Sequence, residues 1–210
     1  MVRIGWKVGA TSKKAQLLLG ASGPATAPLL DGLYYRESTT VSILPSQNTS
    51  VEAEFAFRFS KGLPSRQSSY DRDEVIGSIE SVMPAVEIVA CRFTGGFSKM
   101  GQVSLISDSV ANVGLVSGRE SVWLKQDVIN QSVILRQNGK VVAKGSGKEV
   151  LGDPINVLVW TVNHLSRLGT GIMAGEIVST GTCTGVISVD PGDIIVADFG
   201  CLHSVEVSFK

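Results

Sequence analysis

The stretch Val51–Phe59 constrains the fold more than any other. Val51, Ala53, Phe55, Phe57 and Phe59 alternate with Glu52, Glu54, Ala56 and Arg58. A period of two is the signature of a β-strand, here with one wholly apolar face. Glu52 and Glu54 then leave the backbone on the opposite face, about 7 Å apart. Two carboxylates so placed are either the solvated face of a half-buried strand or a pair that needs a positive charge between them.

A third acid, Glu87, lies in a second short apolar run, Pro84-Ala-Val-Glu-Ile-Val89. Carboxylate oxygens of this kind suit a hard divalent cation such as Mg²⁺. The rest of the sequence is rich in short β-like runs and turn residues. Val2 to Val8 reads as a strand carrying Lys7, and Thr11-Ser12 as a cap for a short helix with Ala15, Leu18 and Leu19 on its apolar side. Gly20 to Gly32, with two prolines, reads as a loop, and Leu33 to Ile43 as a weak strand. Val75, Ile76, Ile79 and Val82 fall at helical spacing, which predicts a helix over 73–82 stopped by Pro84. Arg92 to Ser107 is rich in Gly and Ser and reads as a mobile loop or lid.

Asn138-Gly139 between two β-rich runs predicts a type I′ hairpin. Asp153-Pro154 opens a helix whose apolar stripe is Ile155, Leu158, Val162, Leu165 and Leu168, with Gly169 ending it. Residues 175–182, 193–199 and 204–209 read as closing strands. The architecture that emerges is α+β, mainly β, in one domain over 1–210.

Composition narrows the function. Nineteen Lys and Arg balance nineteen Asp and Glu, so no bulk charge argues for nucleic acid or a membrane surface. No apolar run reaches a membrane span and no signal-peptide pattern precedes Gly5. The three cysteines, Cys91, Cys183 and Cys201, fit neither a zinc spacing nor a disulfide framework, which points to a cytoplasmic protein. Gly145-Ser-Gly-Lys148 lacks the spacing and the hydroxyl residue of a phosphate loop. The two histidines, His164 and His203, assemble into no Ser-His-Asp set. His164 reads as a structural residue on its helix.

In their order, Gly5-Trp-Lys-Val-Gly-Ala-Thr-Ser12, Val51-Glu-Ala-Glu-Phe-Ala-Phe57 and Pro84-Ala-Val-Glu-Ile-Val89 resemble the 2-oxopent-4-enoate hydratase and 4-oxalocrotonate decarboxylase branch of the fumarylacetoacetate hydrolase superfamily. Leu151-Gly-Asp-Pro154, Ala174-Gly-Glu-Ile-Val-Ser-Thr-Gly181 and Ala197-Asp-Phe-Gly200 with Ser204-Val-Glu-Val-Ser-Phe209 extend the likeness over nearly the whole chain. The resemblance implies a mixed β-sandwich roll with a few short helices. It implies Mg²⁺ or Mn²⁺ on Glu52, Glu54 and Glu87, and a small 2-oxo or 2-enol carboxylate substrate from aromatic ring cleavage. It further implies a catalytic and substrate-binding Lys7, a substrate contact at Thr182 with the Gly181 N–H, and a homo-oligomer. The implied activity is a metal-dependent hydratase, with the sister decarboxylase and a non-catalytic paralogue as alternatives. The sequence departs from the family pattern at Ala25 and Ala90, where acids are usual, and in keeping only Ala111-Asn112 of an Ala-Asp-Asn motif. Members also carry a further segment before the Gly-x-Lys motif; its absence here predicts a truncated or minimal member with a frayed first strand and a loosely held Lys7.

Overall fold

The computed structural model describes residues 1–37, 39–44, 47–93 and 101–210. In chain order the elements are β1 (Arg3–Gly9), α1 (Lys13–Leu19), β2 (Ala25–Leu30), β3 (Tyr34–Arg36), β4 (Thr39–Val41), β5 (Ser50–Phe59), α2 (Arg72–Ile76) and β6 (Ile79–Val89). There follow α3 (Gln102–Ser107), β7 (Asn112–Ser117), β8 (Ser121–Val122), β9 (Ser132–Gln137), β10 (Lys140–Ser146) and α4 (Pro154–Arg167). The chain closes with β11 (Ile177–Thr182), β12 (Ile187–Ser188), β13 (Ile194–Asp198) and β14 (Ser204–Phe209). The fold is α+β and mainly β, as the sequence predicts.

Two sheets face each other. The larger runs β2-β1-β11-β5-β6-β7-β3, with β12 beside β5 and β8 beside β6; the smaller runs β10-β9-β13-β14-β4. Both mix parallel and antiparallel pairs: β1–β11, β3–β7 and β4–β14 are parallel. The apolar face of β5 fills the space between them. Val51, Ala53, Phe55, Phe57 and Phe59 pack in one core with Leu135, Ile195 and Val207 of the smaller sheet and Leu158 and Leu165 of α4. Phe55 meets Phe199 edge to face at 5.0 Å, a geometry that aromatic quadrupoles favour. Burial of this face is the dominant stabilising term.

Several local signals act as read. Asp153 caps α4 through the Ile155 N–H, with Pro154 in the first turn. Asn138 and Gly139 take φ of 52° and 78° in the two-residue turn between β9 and β10, where glycine adopts the left-handed backbone without penalty. His164 stacks on Trp160, ring centroids 4.6 Å apart.

Other segments differ, each for a physical reason. The helix expected over 73–82 ends at Ile76, because Gly77 interrupts it and Ile79 onward is captured by pairing with β5. Pro84 does not stop an element; it lies inside β6 opposite Phe55. Its carbonyl accepts from the Gly118 N–H, so its imide nitrogen faces the same edge, in the gap between β7 and β8 where no ladder partner is missed. The expected loop 20–32 contains β2, an edge strand, and Pro28 is tolerated there. The expected strand 33–43 is two short strands in different sheets. Part of the expected loop 92–107 is α3; residues 94–100 lie outside the described residues. Leu168 stands at the C-cap and is 65% exposed, outside the buried stripe.

Candidate metal and substrate centre

The β5–β6 register sets Glu52 directly across from Glu87. Glu54, two residues along β5, shares their face. One carboxylate oxygen from each lies within 4.8 Å of the others, the convergence expected from the shared strand face of Glu52 and Glu54 together with the family resemblance. Burial exceeds that expectation. Glu54 and Glu87 are fully buried and Glu52 is half-buried, so a solvated strand face is excluded.

Lys7 stands among them and is only 1% exposed. Its Nζ is 2.9 Å from Glu87 Oε1 and donates to the Val110 carbonyl at 3.0 Å. Lys7 sits on β1 and Glu87 on β6, with β11 and β5 between them. At ~4.8 Å per strand a flat sheet would hold their backbones about 14 Å apart, so the contact requires the sheet to roll. The expected loose first strand is not found. β1 is hydrogen-bonded along both edges, to β2 and to β11, and Lys7 is held by two partners.

The bend has a local cause. Between Ser179 and Thr182, β11 carries one residue more than β5 opposite it. Such a bulge kinks the strand and re-aims its groups. Gly181, within it, has φ of +94°, and a Cβ there would lie 1.9 Å from Thr11 Oγ1; only glycine fits. Its N–H donates to Glu54 Oε2 at 3.0 Å, and the Ser179 hydroxyl makes a short hydrogen bond to the same oxygen. Thr182 lines the cavity beside the cluster. Its hydroxyl, however, bonds the Gly185 N–H at 2.8 Å within its own turn, and the Gly181 N–H is taken by Glu54.

Three supports went unassigned in the sequence: Ser179, Asn112 and the turn Ser109–Ala111. Asn112 Nδ2 donates to Glu87 Oε1 at 2.7 Å. An amide inside the apolar stretch Val110-Ala-Asn-Val-Gly-Leu115 was the available signal, since a buried polar side chain demands a partner.

The electrostatics follow from this crowding. Burial pushes the Glu54 carboxyl well above its usual range, and Glu87 and Glu52 push it further against the opposing pull of Lys7 and Ser179. Burial and the neighbouring Glu87 raise Glu52 to about 7, with Lys7 opposing. Burial alone pulls the Lys7 ammonium down, but Glu87, Glu54 and Glu52 together outweigh it and the net shift is upward. Lys7 is therefore a cation at neutral pH. Glu54 Oε1 and Glu87 Oε2 are buried with no hydrogen-bond partner among the described residues. Orphaned oxygens of this kind are costly. With all three carboxylates ionised against one ammonium, the cluster is left two charges short of neutral. The donor set and the charge both fit a hard dication.

Beside Lys7 and Glu52 opens a cavity of about 270 Å³. Among the described residues no helix is long and apolar enough to cross a membrane.

Residues 25–208 match the family described as fumarylacetoacetate (FAA) hydrolase, C-terminal. The chain belongs to this family. It is 29% identical over 208 residues to the 2-keto-4-pentenoate hydratase of Paraburkholderia xenovorans, covering 99% of this chain and 76% of that protein. It is 28% identical over 207 residues to a 4-oxalocrotonate decarboxylase of Pseudomonas putida, covering 98% and 77%. Among solved structures, the 4-oxalocrotonate decarboxylase of Pseudomonas putida G7, complexed with magnesium and adipate, superposes with a TM-score of 0.91 at 27% identity. That match covers 100% of this chain and 78% of that one.

Proposed function

We propose that the protein is a single-domain, divalent-metal-dependent hydratase that adds water to a 2-hydroxy-2,4-dienoate. The observation that carries this reading is the buried Glu52–Glu54–Glu87 cluster with its two orphaned oxygens and the ammonium of Lys7 against it. Relatives named 2-keto-4-pentenoate hydratase support it along almost the whole chain. Glu52, Glu54 and Glu87 would hold Mg²⁺ or Mn²⁺, as befits hard oxygen donors. When bound, the metal supplies electrostatic stabilisation of negative charge on the substrate's 2-oxygen.

The remaining work falls to this chain's own groups. A lysine ammonium has three N–H donors; two point to Glu87 and Val110, and Lys7 also lines the cavity. The third holds the substrate carboxylate or delivers a proton to carbon as the dienol becomes the 2-oxo-enoate, the proton of the 2-hydroxyl passing to solvent. Paired with Glu87 at 2.9 Å, Lys7 acts as charge partner or proton donor. Water then adds across the remaining conjugated double bond, hydroxyl to one carbon and proton to its neighbour, giving the 4-hydroxy-2-oxo acid. Thr182 lines the cavity, its hydroxyl being held in the 182–185 turn. The same reading places the enzyme in the cytoplasm as a homo-oligomer. Val122 and Leu124, 70% and 78% exposed, support association.

The test is steady-state loss of the dienol chromophore of 2-hydroxypenta-2,4-dienoate with Mg²⁺ or Mn²⁺, and its abolition by a chelator. The likeness to a decarboxylase structure gives a second reading. CO₂ release from 4-oxalocrotonate without hydration would favour it. Metal binding with neither activity would leave a non-catalytic member.

A further inference from the structure

The cavity beside the cluster has two unlike ends. Lys7 and Glu52 supply the charge of its lining, whereas Ala15, Leu18, Leu19, Leu105 and Val186 line it with apolar side chains. Two of the lining hydroxyls are already used. Ser12 caps α1 through the Ala15 N–H at 3.1 Å, and Thr182 serves its own turn. Leu18 and Val186 at the mouth remain 67% and 55% exposed, although a large apolar side chain gains from being covered. The volume, about 270 Å³, approaches the lower end of the ~300–1,000 Å³ of pockets that bury a drug-sized ligand, which is generous for a five-carbon acid. Among the described residues Lys7 is the only cation on its walls, and it is committed to the charged end. Arg92 is paired with Asp108 at 2.8 Å, and Lys13 and Lys14 on α1 are exposed to solvent.

We infer that this apolar end receives the tail of the substrate, and that the preferred substrates are 2-hydroxy-2,4-dienoate monocarboxylates extended by an alkyl chain. The inference rests on the reading that the carboxylate head sits at the metal cluster, and adds to it what lies at the other end. A terminal carboxylate there would lose part of its hydration and meet no free cation among the described residues, so dicarboxylates of equal length are discriminated against. An apolar tail instead covers Leu18 and Val186.

The experiment uses binding, so that it does not depend on turnover. Calorimetric titration of the Mg²⁺-loaded protein compares pyruvate, 2-oxopentanoate, 2-oxooctanoate and the eight-carbon dicarboxylate 2-oxosuberate. Full burial is worth roughly fourfold per methylene. Half of that free energy, for a mouth partly open to water, predicts about eightfold tighter binding of 2-oxooctanoate than of 2-oxopentanoate, and weaker binding of 2-oxosuberate than of either. Leu18→Arg, on an exposed position of a short helix and so safe for folding, is expected to reverse the order of the two eight-carbon acids. Affinity independent of chain length, or tightest for the dicarboxylate, overturns the tail site while the head-group reading stands. No Mg²⁺-dependent binding of any 2-oxo acid overturns the head-group reading and the tail site with it. If Leu18→Arg changes the oligomeric state and leaves the chain-length series untouched, the leucine belongs to a contact between copies and the tail site is again overturned.

Discussion

Two turns in this protein use the same left-handed backbone with opposite choices of residue. At the β9–β10 hairpin Asn138 and Gly139 have φ of 52° and 78°, and both residue types accept such values readily. Before β7, Ser109, Val110 and Ala111 have φ of 53°, 53° and 63°. None of them is suited to it, and a β-branched valine there is an outlier. The cost is about 1–2 kcal/mol per residue. The hairpin is encoded locally. The second turn is imposed by its surroundings, and those surroundings are the site. Its Val110 carbonyl accepts from Lys7, its Ala111 carbonyl from the Ala90 N–H at 3.0 Å, and Asn112 beyond it holds Glu87. Arg92 braces the segment, reaching the Asn112 carbonyl at 2.9 Å and Asp108 at 2.8 Å. Stability is spent where the charged groups are positioned and kept where only folding is at stake.

The largest test removes what the strained turn holds. Lys7→Met keeps the length of the side chain and deletes the ammonium. Turnover of the dienoate should fall about 10²–10⁴-fold, the usual reach of a positioned proton donor. Mg²⁺ affinity should rise, because a positive charge 2.9 Å from Glu87 has gone. Unchanged turnover would take Lys7 out of the chemistry.

Next comes Glu54→Gln. One ligand and one negative charge are lost together, so the Mg²⁺-induced rise in melting temperature should vanish while the fold survives. A mutant whose melt still responds to Mg²⁺ as the wild type does would remove Glu54 from the ligand set. A smaller effect is expected from Asn112→Ala, which touches no metal itself. Partners that orient ligands are typically worth 10–100-fold in metal affinity, and a Mg²⁺ titration should show a loss in that range with the melting temperature of the metal-free protein nearly preserved. The hairpin has no residue of this kind, and no substitution there should move metal affinity at all.

The pH dependence sharpens the contrast further. Glu52 is raised to about 7 in the folded protein against roughly 4.3 in an unfolded chain. A folded carboxyl with a raised value binds its proton more tightly than the unfolded one. Its contribution is therefore complete below about 4.3 and is lost as pH rises through about 7. Glu54 shifts in the same direction. The metal-free protein should melt progressively lower between pH 5 and 7.5, and Mg²⁺, which takes the place of those protons, should flatten the curve. Melts at stepped pH with and without Mg²⁺ check this; a metal-free curve that rises over the same interval would contradict the assigned crowding.

The same contrast explains what could be read in the sequence. The hairpin, the Asp153-Pro154 helix start and the β5 alternation are local patterns, and each was legible. The glutamate cluster was legible because strand period pairs Glu52 with Glu54 and the family resemblance adds Glu87. The burial of Lys7 was not, since it depends on long-range pairing and on one extra residue in β11, for which Gly181 inside a strand-like run is the single local signal. β2 was hidden by Pro24 just before it and by Pro28 within it, which an edge strand tolerates. Residues 79–82 satisfy helical spacing as well as strand pairing, and long-range pairing with β5 decided between them. The strained turn was invisible because its residues carry no local preference for the backbone they adopt.

The smallest prediction sets the two turns against each other directly. Gly139→Ala adds a methyl group with nothing within 4 Å of it, so any change comes from the backbone alone. At φ of 78° the methyl should cost about 1 kcal/mol, read as a lower melting temperature with the Mg²⁺ response and turnover unaltered. Ala111→Gly is the reverse experiment. It relieves a left-handed alanine, and the gain, about 0.5–1 kcal/mol, is reduced by the greater freedom of glycine in the unfolded chain. Relaxed backbone at that point, however, no longer fixes the Val110 carbonyl against Lys7 or Asn112 against Glu87. The variant should therefore be slightly more stable and a few-fold less active, whereas Gly139→Ala is less stable and fully active. Opposite signs on the two axes are what distinguish a turn shaped by its own residues from one shaped by the site it serves. If Ala111→Gly gains stability with no loss of turnover, the strain has no part in holding Lys7 and Glu87, and the comparison between the two turns carries no functional weight.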